Sequence, residues 1–245
     1  MIEVQDLHKS FGKVQAVAGV SFTAHDGQIT GLLGPNGAGK TTSLRMLYTL
    51  MRPDRGRVAI DGIDALARPD EARRRLGVLP DARGLYRRLT ARENVEYFAR
   101  LQGLGPGLAR SRCEHWMRRL QMQALADRRV EGFSQGERVK TAIARALVHE
   151  PRNVVFDEPA NGLDVMATRA LREVLRGLRD EGRCVLLSTH LLQEAAALCD
   201  RVVVIALGRV LADGTPQELR EQAHEASLED AFLKIIGNAT MGEAA

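Results

Sequence analysis

Lysine is scarce in this 245-residue chain: Lys9, Lys13, Lys40, Lys140 and Lys234 are the whole complement, so arginine supplies nearly all of the 35 basic residues. The formal charge of +4 is carried by short arginine groups such as "ARRRLG", "LYRRLT" and "WMRRLQ". They form no long tract with interleaved aromatics, and aromatics are only 4% of the chain. Solvated helix faces account for such groups, with a basic face near anionic lipid headgroups as the functional alternative, and no nucleic-acid partner is expected. No apolar run approaches the ~18 to 20 residues of a membrane span, and the start "MIEVQDLHKS" lacks the basic-then-apolar layout of a secretory signal. A cytoplasmic location is expected. The three cysteines, Cys113, Cys184 and Cys199, are odd in number, far apart and in no metal-ligand spacing, which reads as reduced core thiols.

What is there has an order. "IEVQDL", "GVSFTA", "QITGLLG" and "GRVAIDG" read as short strands bounded by turn residues. From about Thr90 to Leu147 the spacing turns helical, broken by "GLGPG", and a separate helical lobe is expected there. "NVVFDEP" and "CVLLSTH" then flank the helical "ATRALREVLRGLRDEG"; strand, helix, strand predicts a parallel sheet buried on both faces, with "RVVVIALG" in the same sheet. Beyond Gly214, "PQELREQA" and "SLEDAFLKIIG" read as two short helices.

The sharpest motif is "GPNGAGKTT". It satisfies G-x-x-x-x-G-K-[ST] directly after the strand "ITGLL" and before the helical "SLRML", the context a phosphate loop requires. Across Gly34, Pro35, Asn36, Gly37, Ala38, Gly39, Lys40, Thr41 and Thr42, the glycines let successive amides point inward at the phosphate oxygens of a nucleoside triphosphate. The helix starting near Lys40 adds its positive end. Lys40 is expected to neutralise the β and γ phosphates and Thr41 to ligand Mg²⁺. Asp157, at the end of "VVFD", is the second expected metal ligand, acting through water. Glu158 follows on the other side of the alternation and is the candidate general base for the attacking water. His190 ends the next strand, where parallel sheets bind ligands, and is a candidate γ-phosphate sensor. In "FSQGERVK", Ser134 and Glu137 have the spacing of a helix capping box, which by itself asks for nothing beyond a helix start.

Taken in order, "GPNGAGKTT", "FSQGE", "VVFDEP", "NGLD" and "STH" resemble the ATP-binding cassette (ABC) ATPases over about residues 2–237, leaving 238–245 as a tail. The resemblance implies an α/β P-loop NTPase: a RecA-like core with a parallel sheet, an N-terminal antiparallel β subdomain, and a helical subdomain at about 85–147. It implies that Phe11 stacks on adenine. It implies that Ser134, Gln135, Gly136, Glu137 and, from the loop Asn161 to Asp164, Asp164 meet an ATP held by the opposite subunit of a homodimer. Three departures stand out. Phe133, Gln135 and Glu137 replace the family's Leu, Gly and Gln; Asp81 stands where a metal-touching glutamine is usual; and Asn153 puts a polar group where the strand is normally apolar.

Within the family, "GLYRRLTARENVEYFARLQG" and "FSQGERVKTAIARALVHEP" resemble the NatA-type branch, ATPase subunits of bacterial sodium exporters, and more broadly those of drug, polysaccharide and haem-related exporters. The implied partner is a separate integral-membrane permease, with this chain peripheral on the cytoplasmic face of the membrane. The rival readings are a soluble cassette ATPase acting on ribosome or DNA, against which one cassette without sustained heptads argues, and a P-loop kinase, against which "FSQGE" and "NGLD" argue.

Overall fold

The computed structural model describes residues 1–81 and 84–243, with side chains through 239. Among them are ten strands: β1 (Ile2–Phe11), β2 (Val14–Ala24), β3 (Ile29–Leu33), β4 (Arg55–Ile60), β5 (Ile63–Asp64), β6 (Leu76–Leu79), β7 (Asn153–Asp157), β8 (Cys184–Thr189), β9 (Arg201–Ala206) and β10 (Arg209–Gly214). They form two sheets. One is antiparallel, in the order β2-β1-β4-β5; the other runs β10-β9-β3-β8-β7-β6, parallel throughout except for the antiparallel edge strand β10. "QITGLL" leaves its neighbours in sequence and enters the second sheet as its central strand.

The parallel sheet is apolar on both faces because both are covered. Alternation sorts its residues into two cores. Ile29 and Leu33 of β3, Val154 and Phe156 of β7, Val185 and Leu187 of β8, and Val202 and Val204 of β9 pack on one side with the helices. Leu32, Val155, Leu186, Val203 and Ile205 point the other way, into a core shared with the antiparallel sheet. A shift of one residue in any strand would exchange these sets.

The helices are α1 (Lys40–Leu47), α2 (Pro69–Arg74), α3 (Ala91–Leu101), α4 (Pro106–Arg119), α5 (Gln135–Leu147), α6 (Val165–Asp180), α7 (Leu192–Leu198), α8 (Pro216–Ala223) and α9 (Leu228–Glu243). The "GLGPG" break becomes the start of α4, with Pro106 in its first turn, where a missing N–H costs nothing. The middle helices α3, α4 and α5 have no core of their own: Val95, Cys113, Trp116, Val139 and Ile143 belong to the same cluster as one face of the sheet. Three short amphipathic helices bury too little surface to stand alone, so they extend the sheet's core. All three cysteines are free and buried, as their spacing predicts. α9 continues unbroken past 237 to Glu243. Among the described residues no helix is long and apolar enough to cross a membrane.

Asn153, the polar residue in an otherwise apolar strand, is fully buried. Its Nδ2 donates to Asp61 Oδ2 at 3.0 Å and its Oδ1 accepts from the Met1 amino group at 2.8 Å. The buried amide is thus satisfied by the edge of the antiparallel sheet, which it ties to the start of β7.

Candidate functional site

The loop between β3 and α1 approaches other backbone too closely for side chains at two of its glycines. A Cβ on Gly34 would lie 2.1 Å from the Ile205 carbonyl oxygen, and one on Gly39, at φ 101°, 2.6 Å from that of Ala16. Helix α1 starts at Gly39 with no side-chain cap and no acid in its first turn. By contrast α3, α5 and α8 all start with a complete capping box, at Thr90/Glu93, Ser134/Glu137 and Thr215/Glu218. The leading amides of α1 are therefore left to an anion, where the helix dipole adds attraction.

Around this end a cavity of about 560 Å³ is lined by Phe11, Ala16, Asn36 through Thr42, Asp81, Glu158, Asn161 and His190. It lies within the range typical of ligand clefts. The buried Lys40 ammonium donates to the carbonyls of Gly34 (2.7 Å) and Pro35 (3.2 Å) and lies 3.3 Å from Glu158 Oε1. The other Glu158 oxygen is 2.7 Å from His190 Nδ1. Lysine, glutamate and histidine thus form one connected line. Phe11 is 49% exposed on the cavity rim, with the Lys9 ammonium 5.9 Å from its ring; it is free to stack and is not a core residue.

Asp157 is 1% exposed. Its Oδ1 accepts from Ser188 Oγ at 2.5 Å and Thr41 Oγ1 at 3.3 Å, while its buried Oδ2 has no partner. Burial pushes its pKa up, the charges of Asp81 and Glu158 add to the rise, and the two hydroxyl hydrogen bonds oppose it. A buried carboxylate with an orphaned oxygen beside a threonine hydroxyl fits a divalent cation, which would supply the missing partner and reverse the shift. Among the described residues no cluster of three or more His, Cys, Asp or Glu could hold a metal unaided. One carboxylate and one hydroxyl are a donor set of the kind Mg²⁺ takes, since it keeps few protein ligands and completes its shell with water and phosphate.

Glu158 carries a feature that its residue type does not suggest: a left-handed backbone at φ 48°. A non-glycine residue in this region costs on the order of 1–3 kcal/mol unless its surroundings hold it there. Ser188 does so, accepting the Glu158 N–H with both its carbonyl oxygen (3.2 Å) and its hydroxyl (3.0 Å). Ser188 stands directly opposite Asp157 in the parallel register of β7 and β8. It was not among the expected site residues; the signal for it was a hydroxyl residue closing an apolar strand beside the acid pair.

The remaining expected residues lie elsewhere. None of Ser134, Gln135, Gly136, Glu137 and Asp164 lines the cavity. Ser134 Oγ accepts the Glu137 N–H at 3.2 Å, and Glu137 Oε2 accepts the Ser134 N–H at 2.7 Å, so the capping box is complete. Asp164 caps α6 by accepting the Ala167 N–H at 2.7 Å. The Gln135 side chain lies against Gly162, in the loop before α6. One chain therefore carries two separate surfaces, a phosphate-loop cavity and a serine turn beside the Asn161–Asp164 loop.

The chain is similar to known proteins in sequence and in fold. The sequence pattern of the family described as ABC transporter matches residues 17–161. ABC transporter ATP-binding protein NatA of Bacillus subtilis (strain 168) is 42% identical over 241 residues, covering 96% of this chain and 98% of that protein. Nod factor export ATP-binding protein I of Burkholderia lata is 40% identical over 220 residues, covering 90% of this chain and 72% of that protein. Among solved structures, the ATP-binding subunit of an ABC transporter superimposes with a TM-score of 0.88 at 32% identity, covering 96% of this chain and 99% of that one. A dimeric ATP-binding cassette in a post-hydrolysis state, bound to ADP and Pi, superimposes with a TM-score of 0.79 at 25% identity, covering 88% and 98%.

Proposed function

This chain belongs to the ABC transporter family as an ATP-binding, ATP-hydrolysing subunit, and from that premise we propose that it powers an exporter by closing as a homodimer on ATP beneath a separate membrane permease. The carrying observation is the separation of the two surfaces. The cavity holds groups for the triphosphate, while the Ser134 turn lies outside it and is exposed, and capping uses the hydroxyl oxygen as acceptor and leaves its proton for a second chain's nucleotide.

In this reading the loop from Gly34 to Thr42 and the start of α1 bind the phosphates, with Lys40 on the β and γ groups and Phe11 on the adenine. Glu158 takes a proton from the attacking water, and His190, bonded to Glu158, orients it and meets the γ phosphate. Thr41, Asp157 and Asp81 would hold Mg²⁺, which when bound supplies charge neutralisation at the phosphates. Ser134, Gln135, Gly136, Glu137 and Asp164 approach the partner's ATP. The cassette starts at residue 2 and runs into α9, which continues past the expected boundary at 237, with the helical lobe at about 85–147.

The permease reading rests on a groove of about 530 Å³ lined by Leu50, Val78, Pro80, Phe98 and the buried Arg145, among others. The Arg145 guanidinium stacks 4.5 Å from the Phe98 ring and donates to the Gly84 carbonyl at 2.9 Å. Burial presses its pKa down to about 10, which leaves it charged at pH 7. Tyr86 and Tyr97, both exposed, stand edge-to-face 5.5 Å apart, and each also packs against Phe98. An exposed aromatic rim over an apolar groove suits a short helix of a membrane protein, which supports a position peripheral to the membrane, on its cytoplasmic face in this reading.

Sodium is the leading cargo because the kinship with NatA is strong over the full length. The Nod factor export relative keeps other cargoes open, including the drug, polysaccharide and haem-related classes. Coexpressed with a candidate permease, the chain is expected to sediment with membranes, hydrolyse ATP with Mg²⁺, and drive sodium into inverted vesicles. Copurification with RNA or DNA instead of a membrane protein would favour the soluble cassette reading.

A further inference from the structure

Beyond the cavity, one buried carboxyl has no part in the mechanism above. Glu194, in the first turn of α7, is 5% exposed. A carboxyl so placed is costly unless a specific partner holds it. Its Oε2 accepts from Thr189 Oγ1 at 2.9 Å, and that hydroxyl in turn accepts the Leu191 N–H at 3.0 Å. Thr189 and Leu191 flank His190. The turn carrying the histidine is thus anchored on one side by β8 and on the other by a hydroxyl whose proton is directed by Glu194. Helix α7 has no side-chain N-cap of its own, so this relay does for the turn what a cap does for the other helices.

The direction of the relay matters. A threonine hydroxyl has one proton and rotates freely unless an acceptor fixes it. With its proton on Glu194, its lone pairs face the Leu191 amide, which sets the backbone from which the His190 ring reaches Glu158. We propose that Glu194 is a positioning residue for ATP hydrolysis: acting through Thr189, it fixes the His190 turn and so the Nδ1 contact with Glu158. Burial raises the Glu194 pKa, against the Thr189 hydrogen bond and the charge of Arg172 on α6.

The inference rests on the role given above to His190, so His190→Ala is the reference. Steady-state kcat and KM for ATP, with melting temperature, are measured for His190→Ala, Glu194→Gln, Glu194→Leu, Thr189→Val and the double variant Thr189→Val/Glu194→Leu. Glutamine keeps the acceptor for Thr189 and should retain most of kcat. Glu194→Leu and Thr189→Val should each lower kcat roughly ten- to a hundredfold at nearly unchanged KM, the size of one lost hydrogen bond to a charged group. The double variant should be no worse than the poorer single, because both changes cut one relay. Additive losses overturn the proposal, as does full activity in both Thr189→Val and Glu194→Leu while His190→Ala is inactive. If His190→Ala is itself active, the reading of His190 fails and this inference with it. Should Glu194→Leu not fold, Thr189→Val decides: wild-type kcat there overturns the relay, and a loss at unchanged KM, with Glu194→Gln active, supports it.

Discussion

Replacing Ser134 by glycine separates two roles that the same hydroxyl performs, and the chain carries its own controls. Ser134, Thr90 and Thr215 each cap a helix, with nearly equal hydroxyl-to-amide distances of 3.2, 3.1 and 3.1 Å. Glycine is tolerated at an N-cap, so each of Ser134→Gly, Thr90→Gly and Thr215→Gly should cost only a few tenths of a kcal/mol. For a chain of this size that is a shift in melting temperature of about 1 °C. Capping uses the Ser134 oxygen as acceptor and leaves its proton free to donate. If that proton meets a γ phosphate in the partner chain, its loss removes a charge-assisted hydrogen bond of about 1.5–3 kcal/mol, roughly a ten- to hundredfold fall in turnover. The assay is ATP turnover at saturating Mg²⁺, with dimer fraction by sedimentation and melting temperature for all three variants. Only Ser134→Gly should lose turnover. Turnover matching that of the Thr90 and Thr215 variants would refute the clamp and leave Ser134 a cap like the others.

Glu158→Gln should keep ATP binding, lose hydrolysis by ~10² to 10⁴-fold as expected for a missing general base, and accumulate as an ATP-bound dimer; normal turnover would remove Glu158 from the mechanism. Glu137→Gln preserves the capping box, since glutamine serves at that position, and takes an anion away from the clamp, so folding should be unchanged and ATP-driven dimerisation stronger on sedimentation. Tyr86→Ala should spare the ATPase of the isolated subunit and impair transport in the complex. The Tyr86 ring is 49% exposed and its backbone is held by Asn94, which accepts from the Tyr86 N–H (2.9 Å) and donates to its carbonyl (3.0 Å). Burial pushes all three thiols up to about 12 from an ordinary 9.0. Between those values the unfolded chain releases protons that the native one keeps, so stability should fall as pH rises from 9 towards 12. At pH 8 the native chain should resist iodoacetamide and the denatured one react at three sites, as read by mass spectrometry.

The phosphate loop was legible because its chemistry is written in spacing: glycines where backbone meets backbone, then a lysine and two threonines opening a helix. Asp157 and Glu158 were legible as acids closing an apolar strand. The left-handed turn at Glu158 was not, because it is imposed by Ser188 from a neighbouring strand thirty residues on, and side-chain type alone carries no sign of it. β6 and β10 were missed for a different reason: edge strands of four and six residues, next to proline and charged residues, lack the long apolar runs of the centre. Asn153 read as an anomaly until its partner Asp61, 92 residues earlier, came into view. Asn94, which fixes the chain at Tyr86, gave no signal within its helical pattern. The middle helices read as a lobe from their periodicity, which marks an apolar face without saying what covers it; that face joins the core of the parallel sheet.

The antiparallel sheet gives the cavity Phe11 and Ala16, and neither side chain has a hydrogen-bonding group. A ring stacks on any purine with similar ease, so neither of these two side chains distinguishes an amino from a keto substituent. On the other side Lys40, the bare helix end and the acid pair are matched to a row of phosphates. The distance between the two sides is set by the contact of Gly39 with the Ala16 carbonyl, too close to admit a side chain. Such a pocket discriminates by the number of phosphates and their reach from the base, and hardly by the base itself. GTP should therefore be hydrolysed at a rate comparable to ATP, and a turnover with GTP far below that with ATP would refute this account of the pocket.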